Sequence, residues 1–109
     1  MKKVITIIDY GLGNLFNIVR AFSQLDCKVV MTNDYKKILN SERLLLPGVG
    51  AFSDGMKELK GMGLDNAIKE FVQTGRPLLG ICLGMQLLMA NSEENGLHQG
   101  LNLIAGSVV

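Results

Sequence analysis

The sequence contains no tryptophan, one histidine, two prolines and two cysteines in 109 residues. Two isolated cysteines, Cys27 and Cys82, do not make a disulfide framework, so the sequence predicts a reduced, cytoplasmic protein. The first apolar run ends at Asp9, which is too early for a signal peptide, and no run approaches the length of a membrane span. The net charge is +1 without a basic cluster or aromatic ladder, so we expect neither nucleic acid nor a membrane as a partner.

The composition is that of a folded chain, with 48% hydrophobic and 19% charged residues and no repeat or linker. We expect residues 1–109 to belong to one domain. Apolar runs alternate with amphipathic segments, which predicts an α/β fold: a flavodoxin-like, doubly wound, mainly parallel open sheet with helices on both faces. Strands are predicted at 4–8, 28–32, 43–46 and 77–81, helices at 15–25, 34–39, 52–59, 64–72 and 85–89, and strand or turn at 97–109.

The segment Gly80-Ile81-Cys82-Leu83-Gly84 matches the Gly-x-nucleophile-x-Gly pattern of a strand-to-helix elbow, with cysteine as the nucleophile. A short apolar run precedes it and a helical run follows it, which is the context that the pattern requires. The flanking glycines allow a helix and a substrate to approach closely. The turn predicts an exposed thiol beside the positive end of a helix, where the reactive thiolate is stabilised.

Loops at the carboxyl ends of parallel strands form the active sites of such sheets, and three loops qualify here: 9–14, 47–53 and the elbow. A nucleophilic cysteine needs an oxyanion hole, and the N–H of Leu83 is the expected first donor. The glycine-rich loop 47–52 is the natural source of a second donor, although Gly48 and Gly50 are also compatible with a plain turn. Gln86, one helical turn after Cys82, is a candidate for holding a polar substrate.

Three stretches resemble the class I (triad-type) glutamine amidotransferases, and most closely the glutaminase subunits of imidazole glycerol phosphate synthase. They are Asp9-Tyr10-Gly11-Leu12-Gly13-Asn14-Leu15, Leu46-Pro47-Gly48-Val49-Gly50-Ala51-Phe52 and Gly80-Ile81-Cys82-Leu83-Gly84-Met85-Gln86. The segment 100–106 is also similar to the family's Gly-Leu-Gly-Leu-Ile-x-Gly, with Asn102 in place of a glycine. The resemblance covers essentially the whole chain but only the amino-terminal half of a family domain.

The resemblance implies that glutamine is the substrate and that Cys82 forms a glutamyl thioester with it. Ammonia would pass to a (β/α)8-barrel cyclase subunit, and no cofactor or metal would be involved. Val49, Gly50 and Leu83 would surround the oxyanion and Gln86 would hold the substrate. The loop containing Tyr10, Gly11 and Asn14 would lie near the interface with the partner.

The sequence departs from this family at the catalytic base, a histidine in a Pro-x-His-x-Glu segment that this chain lacks. The one histidine, His98, follows the elbow helix in a predicted loop, and the triad requires a base within reach of the nucleophile. We therefore expect negligible glutaminase turnover from the isolated chain, and a weakly stable or self-associating fold. Two alternatives remain open: a paralogue that supplies ammonia for amidination of surface sugars, and a non-catalytic module that docks on a barrel.

The remaining polar candidates have structural interpretations. Cys27 is expected to be a structural residue next to a strand. Asp9 is expected to cap its own loop, and Glu93 and Glu94 to form a solvated turn.

Overall fold

The computed structural model describes residues 3–109 and contains two sheets. The first is parallel, with strand order β2-β1-β3-β4, where β1 is Lys3–Ile8, β2 is Cys27–Thr32, β3 is Leu44–Leu46 and β4 is Leu78–Gly80. The helices are α1 (Leu15–Gln24), α2 (Tyr35–Leu39), α3 (Phe52–Gly61), α4 (Leu64–Gln73) and α5 (Leu83–Leu87). The second sheet, of order β6-β5-β7, contains β5 (Met89–Ser92), β6 (His98–Gln99) and β7 (Ile104–Val108).

The parallel sheet has a different hydrophobic core on each face. On one face Leu44, Leu46 and Ile8 pack against α2, α3, α4 and α5, and this is the larger cluster. On the other face Ile5, Ile7 and Leu45 pack against the apolar side of α1. The strand β3 is buried on both faces because it lies inside a sheet with helices on both sides. The predicted doubly wound arrangement is confirmed.

Short-range signals mark the ends of α2 and α4. The Asp34 side chain accepts a hydrogen bond from Lys37 N (3.0 Å) and caps α2. Gly63 (φ 72°) precedes α4 and Gly75 (φ 80°) follows it, both in the left-handed region that favours glycine. Asn14 occupies the N-cap position of α1, but its side chain makes no capping hydrogen bond.

Two predicted elements are wrong in their bounds. The helix after the elbow was expected at 85–89, but α5 covers five residues and Met89 begins β5. The first helix was expected at 15–25, but α1 ends at Gln24, and Leu25 is the C-cap residue and is 69% exposed.

The second sheet is the main feature that the sequence did not specify. The segment 97–109 contains β6 and β7, as the expectation of strand or turn allowed, but their partner β5 lies where a helix was predicted. His98, expected in a loop, is a strand residue. Met89-Ala90-Asn91-Ser92 lacks the alternation of a half-buried strand, so its pairing depends on contacts distant in sequence. Within residues 3–109 no helix is both long and apolar enough to cross a membrane.

Candidate active site

Cys82 lies on a sharp turn between β4 and α5. Its backbone angles are φ 54° and ψ −123°, a conformation that residues other than glycine rarely adopt. The residue is exposed, whereas the next residue, Leu83, is buried in the core below α5. The turn therefore presents the sulfur to solvent at the carboxyl end of the sheet, as the elbow pattern predicted.

The two elbow glycines are required by the close approach of α5 to the sheet. A Cβ placed on Gly84 would overlap the backbone carbonyl of Leu46 in β3. A Cβ on Gly80 would lie 2.8 Å from Met85 Cα and 2.9 Å from Met85 N. Since backbone atoms cannot yield as a flexible side chain can, no larger residue fits at either position without displacing α5.

The three predicted loops meet at this end of the sheet. Tyr10, after β1, is buried and donates a hydrogen bond from Oη to Pro47 O (2.6 Å), after β3. Gly48 packs directly against the elbow, where an added Cβ would lie 3.0 Å from Leu83 Cβ. The strand order reverses between β1 and β3, so the loops flank the point where doubly wound sheets bind ligands.

Burial raises the pKa of Tyr10 from 10.0 to about 12. The ionised phenolate would lose both hydration and the hydrogen bond to Pro47 O, so Tyr10 remains a neutral donor at ordinary pH. The hydrogen bond from the buried Tyr10 to Pro47 O attaches the start of loop 47–51 to the loop after β1. Of the three residues predicted at a partner interface, Gly11 and Asn14 are exposed and Tyr10 is buried, and that role stays a prediction for all three.

The predicted oxyanion donors differ in their availability. The N–H of Leu83 donates to Gly48 O (3.2 Å), so this donor already has a partner. Val49 is 51% exposed and Gly50 has φ 103°, and the N–H groups of these two residues donate no hydrogen bond within residues 3–109. Gly50 is required for its backbone angle rather than for space, because an added Cβ would meet nothing within 4 Å.

Gln86 lies in α5 one turn after Cys82 and is half-buried. Its N–H donates to Cys82 O (3.3 Å), so the helix backbone ties it to the elbow. Asp9 caps its own loop as predicted, accepting from Gly11 N (3.4 Å). Cys27 begins β2, and its thiol lies 3.7 Å from Leu25 O, which fits the structural role expected for it.

Glu93 and Glu94 are exposed and Glu94 lies in a turn, as expected, and Glu94 has in addition a contact near the site. Its Oε1 accepts a hydrogen bond from Phe52 N (3.4 Å), the first residue of α3, directly after the glycine-rich loop. A carboxylate is favourable at a helix N-terminus. The sequence carried a weak signal for Glu94, a carboxylate in a turn region, but the partner is 42 residues away.

Comparison with known proteins identifies the family. The family model for "Glutamine amidotransferase class-I" matches residues 6–104. The chain belongs to the class I glutamine amidotransferases. The elbow, the glycine-rich loop and the loop after β1 all lie within the matched range.

Curated relatives in this amidotransferase family are about half identical to the chain. "Imidazole glycerol phosphate synthase subunit HisH 1" of Legionella pneumophila (strain Paris) is 50% identical over 105 residues, which are 96% of this chain and 49% of the relative. The HisH subunit of Sulfurimonas denitrificans is 50% identical over 106 residues, 97% of this chain and 51% of the relative. The chain thus spans about half the length of the curated relatives it matches.

A solved structure supports the fold. A putative peptidase E protein from Listeria monocytogenes EGD-e superposes with a TM-score of 0.75 at 19% identity, covering 94% of this chain and 63% of that one. At this identity the likeness concerns the fold alone.

The thiol of the amidotransferase elbow has no hydrogen-bonded base within residues 3–109. The Cys82 thiol makes no side-chain hydrogen bond there, and the ring of His98 bonds instead to Asn95 O (3.1 Å). No group of three or more His, Cys, Asp or Glu side chains in this range is arranged to hold a metal ion. Within residues 3–109 the Cys82 thiol is thus exposed and has no hydrogen-bonded imidazole beside it.

Proposed function

We propose that this chain is the amino-terminal, nucleophile-bearing part of a single glutamine amidotransferase domain. The domain would be the glutaminase subunit of an imidazole glycerol phosphate synthase, hydrolysing glutamine to glutamate and ammonia. The ammonia would be delivered to a (β/α)8-barrel cyclase subunit for histidine biosynthesis. The observation that carries this proposal is the exposed Cys82 at φ 54°, between β4 and α5. The relatives at 50% identity support the assignment.

In the proposed reaction the thiolate of Cys82 attacks the side-chain carbonyl carbon of glutamine. The tetrahedral intermediate collapses as the C–N bond breaks, and the nitrogen leaves as ammonia after taking up a proton. Water then attacks the thioester carbon, the C–S bond breaks, and glutamate and the free thiol are released. The exposed sulfur on a fixed turn supplies the first of these steps, and Gln86 is proposed to hold the polar part of the substrate.

The negative oxygen of the intermediate would be stabilised by Leu83 N–H together with an N–H of Val49 or Gly50. The Leu83 donor is engaged by Gly48 O (3.2 Å), so the substrate oxygen must replace that carbonyl. Gly50 (φ 103°) gives the loop the backbone freedom needed to turn the carbonyl away. Each such donor stabilises the transition state by about 3 kcal/mol, so we expect the reaction to be faster when Leu83 N–H is released from Gly48 O.

Both chemical steps also need a base and an acid, which residues 3–109 do not bring to Cys82. We therefore expect the isolated chain to release glutamate at less than about a thousandth of the rate of a complete subunit.

The proposal is tested with a chimera in which this chain is continued by the half of Legionella pneumophila HisH 1 that has no counterpart in it. Glutamate release is measured with and without the cyclase subunit of the same organism. We expect turnover by the chimera and by its Cys27→Ser variant, and a loss of at least about 1,000-fold in Cys82→Ser. Turnover that survives Cys82→Ser would refute the proposal, as would Cys82-dependent turnover by the chain alone.

A module that docks on a barrel without chemistry is the second candidate. The specific observation in its favour is the hydrogen bond that occupies Leu83 N–H. A Cys82→Ser chimera that supports the cyclase with glutamine as fully as the unmodified chimera would favour this candidate. The third candidate is an amidotransferase that supplies ammonia for amidination of surface sugars. If it were correct, the cyclase subunit would not stimulate glutamate release by the chimera.

A further inference from the structure

The loop between β5 and β6 contains the one Asn-Gly pair of the sequence, Asn95-Gly96. Both residues are exposed and both have a left-handed backbone, with φ 54° at Asn95 and φ 101° at Gly96. Asparagine and glycine adopt this region more readily than other residues, so the pair suits the reversal of the chain before β6. Glycine has no side chain to shield its backbone nitrogen, which is therefore accessible to the side-chain amide of the preceding asparagine.

The N–H of Gly96 is available for reaction, because it donates no hydrogen bond within residues 3–109. Asn102 provides the contrast. It is exposed and has the same left-handed backbone (φ 58°), but the next residue, Leu103, donates its N–H to Leu88 O (2.9 Å). Of these two asparagines, Asn95 alone precedes an unengaged backbone nitrogen.

The ring of His98 lies against the peptide group that joins Asn95 to Gly96. Its Nε2 is 3.1 Å from Asn95 O, and a Cβ built on Gly96 would lie 3.8 Å from the same nitrogen. A carbonyl oxygen can only accept, so Nε2 carries the proton of this hydrogen bond. His98 is held in place by β6, where it pairs with Ser92 of β5. Since the carbonyl and the nitrogen belong to one conjugated amide, a donor at the oxygen stabilises the anion that forms when Gly96 N loses its proton.

We propose that Asn95 is a site of spontaneous deamidation and that His98 promotes the reaction through its hydrogen bond to Asn95 O. Hydroxide removes the proton of Gly96 N, and this nitrogen attacks Asn95 Cγ. The Cγ–Nδ2 bond breaks, and Nδ2 takes a proton from water and leaves as ammonia, which regenerates hydroxide. Water then opens the cyclic imide. Cleavage of the new bond from Cγ to nitrogen gives aspartate, and cleavage at the main-chain carbonyl carbon gives isoaspartate.

This modification changes the loop that carries Glu94. Glu93 and Glu94 directly precede Asn95, so the new carboxylate is the third in succession, and isoaspartate also adds one methylene group to the backbone. Oε1 of Glu94 accepts a hydrogen bond from Phe52 N (3.4 Å) at the start of α3, next to the glycine-rich loop. Repulsion between like charges and the longer backbone both weaken this contact. Deamidation of Asn95 therefore acts on the candidate site from outside it.

The first test follows both asparagines in the folded chain by peptide mass spectrometry, during incubation at mildly alkaline pH. Asn102 is the internal reference, since it shares the exposure and the backbone conformation of Asn95. We expect Asn95 to be converted at least about tenfold faster than Asn102, with isoaspartate among the products. Conversion of Asn95 no faster than that of Asn102 would overturn the proposal.

Two variants test the role of His98. His98→Phe keeps a planar ring but removes the donor, whereas His98→Gln keeps a donor. We expect His98→Phe to slow the conversion of Asn95 about fivefold, the rate effect of one hydrogen bond, and His98→Gln to slow it less than about twofold. Hydrogen exchange at Gly100, whose N–H donates to Ala90 O (2.9 Å), verifies that the second sheet persists in each variant.

Concentrated urea is the control for this comparison, because the unfolded chain no longer holds the ring of His98 against the peptide group. There the unmodified chain and both variants should convert Asn95 at one rate. Folded His98→Phe that reacts as fast as the unmodified chain would refute the role of His98, and so would an equal slowing in urea. The comparison of Asn95 with Asn102 uses the unmodified chain and stands even if His98→Phe does not fold.

The isoaspartate form, separated by ion exchange, tests the effect on the candidate site. We expect the Phe52 amide to exchange at least about tenfold faster in this form than in the unmodified chain. The Gly75 amide, which donates to Val72 O (3.1 Å) at the end of α4, should be unchanged. Unchanged exchange at Phe52 would refute this effect. None of these measurements depends on glutaminase activity, so they stand or fall separately from the proposed function.

Discussion

At the scale of single residues, the candidate site depends on three positions where the backbone conformation or the available space restricts the side chain. Cys82 is a non-glycine residue at φ 54°, and such conformations cost about 1–3 kcal/mol and occur mainly at functional sites. Positions 80 and 84 have room only for glycine, because an added Cβ at either one would clash with backbone atoms of α5 or of β3. The strained cysteine and the two unsubstitutable glycines together fix the direction of the sulfur.

The Gly84→Ala substitution should destabilise the chain by about 3 kcal/mol or more, because the new methyl group would overlap the Leu46 carbonyl. Gly61→Ala is the matched control, since an added Cβ there meets nothing within 4 Å and alanine favours helix α3. Urea unfolding followed by circular dichroism measures both. A Gly84→Ala variant as stable as Gly61→Ala would contradict the packing described for the elbow.

The strain at Cys82 predicts that Cys82→Gly is more stable than Cys82→Ala by about 1 kcal/mol. Both variants remove the thiol, so the difference reports the backbone conformation (φ 54°) and not the sulfur. The same urea titrations measure it. If the alanine variant were the more stable of the two, Cys82 would not occupy the left-handed region in solution.

Tyr10 predicts a loss of stability at high pH. Its pKa is about 12 in the folded chain and 10.0 when unfolded, so the folded state keeps a proton that the unfolded state releases. Its contribution is therefore complete below pH 10 and is lost as the pH rises from 10 towards 12, with a slope of at most about 1.4 kcal/mol per pH unit.

The measurement is the free energy of unfolding from pH 8 to pH 12 for the chain and for Tyr10→Phe. Both are made in a Tyr35→Phe background, because the pKa of Tyr35 is also raised, chiefly by a hydrogen bond to Glu70. Tyr10→Phe should be less stable at pH 8, having lost the bond to Pro47 O, and should have the smaller slope above pH 10. Equal slopes would show that Tyr10 is hydrated.

At the scale of elements, the hydrophobic pattern predicts the order of strands and helices. Where one element ends and the next begins depends in part on contacts between residues distant in sequence. The strands β1, β2, β3 and β4 and four of the helices lie close to the predicted ranges, because apolar runs and turn residues are local signals. The early end of α5 is not local: Leu88 O accepts from the N–H groups of Leu103 and Ile104, which belong to a segment more than a dozen residues later.

The same limit applies to the candidate site. The elbow and the glycine-rich loop could be found from the sequence because their glycines follow strands at the spacing that the chemistry needs. The contact of Glu94 with Phe52 N and the engagement of Leu83 N–H by Gly48 O could not, because both depend on how the elements pack. The roles of Val49, Gly50 and Gln86 stay predictions.

Arg76 connects the end of α2 to the end of α4 by hydrogen bonds, so replacing it should lower the free energy of unfolding. The guanidinium donates to Ser41 O (2.5 Å) and Leu39 O (2.6 Å) at the end of α2, and Nε donates to Thr74 Oγ1 (2.9 Å) after α4. Arg76→Lys keeps the charge but loses the planar fork, so we expect a loss of about 2 kcal/mol. Arg20→Lys is the control on exposed α1, expected to change the free energy of unfolding by less than about 0.5 kcal/mol. Equal changes in the free energy of urea unfolding for Arg76→Lys and Arg20→Lys would contradict the proposed connection between α2 and α4.

At the scale of the whole molecule, the candidate site residues meet at one end of the parallel sheet. Cys82, the loop with the predicted oxyanion donors and the loop with Tyr10 follow three strands of one sheet, as the doubly wound topology predicts. Within residues 3–109 the strand that leads into the elbow, β4, is an edge strand that pairs with β3 alone. Weak stability or self-association of the isolated chain stays a prediction.

The central claim is that the elbow holds the Cys82 sulfur where a glutamine side chain can reach it. Its most direct test is the rate of alkylation of Cys82 and Cys27 in the native chain, followed by mass spectrometry with two reagents. One is iodoacetamide, which reports exposure alone, and the other is a chloroketone shaped like glutamine.

We predict that Cys82 reacts faster than Cys27 with both reagents, because Cys82 is exposed and Cys27 is half-buried. The preference for Cys82 should be at least about tenfold greater with the glutamine-shaped reagent, and free glutamine should reduce it. The same preference with both reagents, unaffected by glutamine, would mean that the sulfur is merely exposed and would contradict the account.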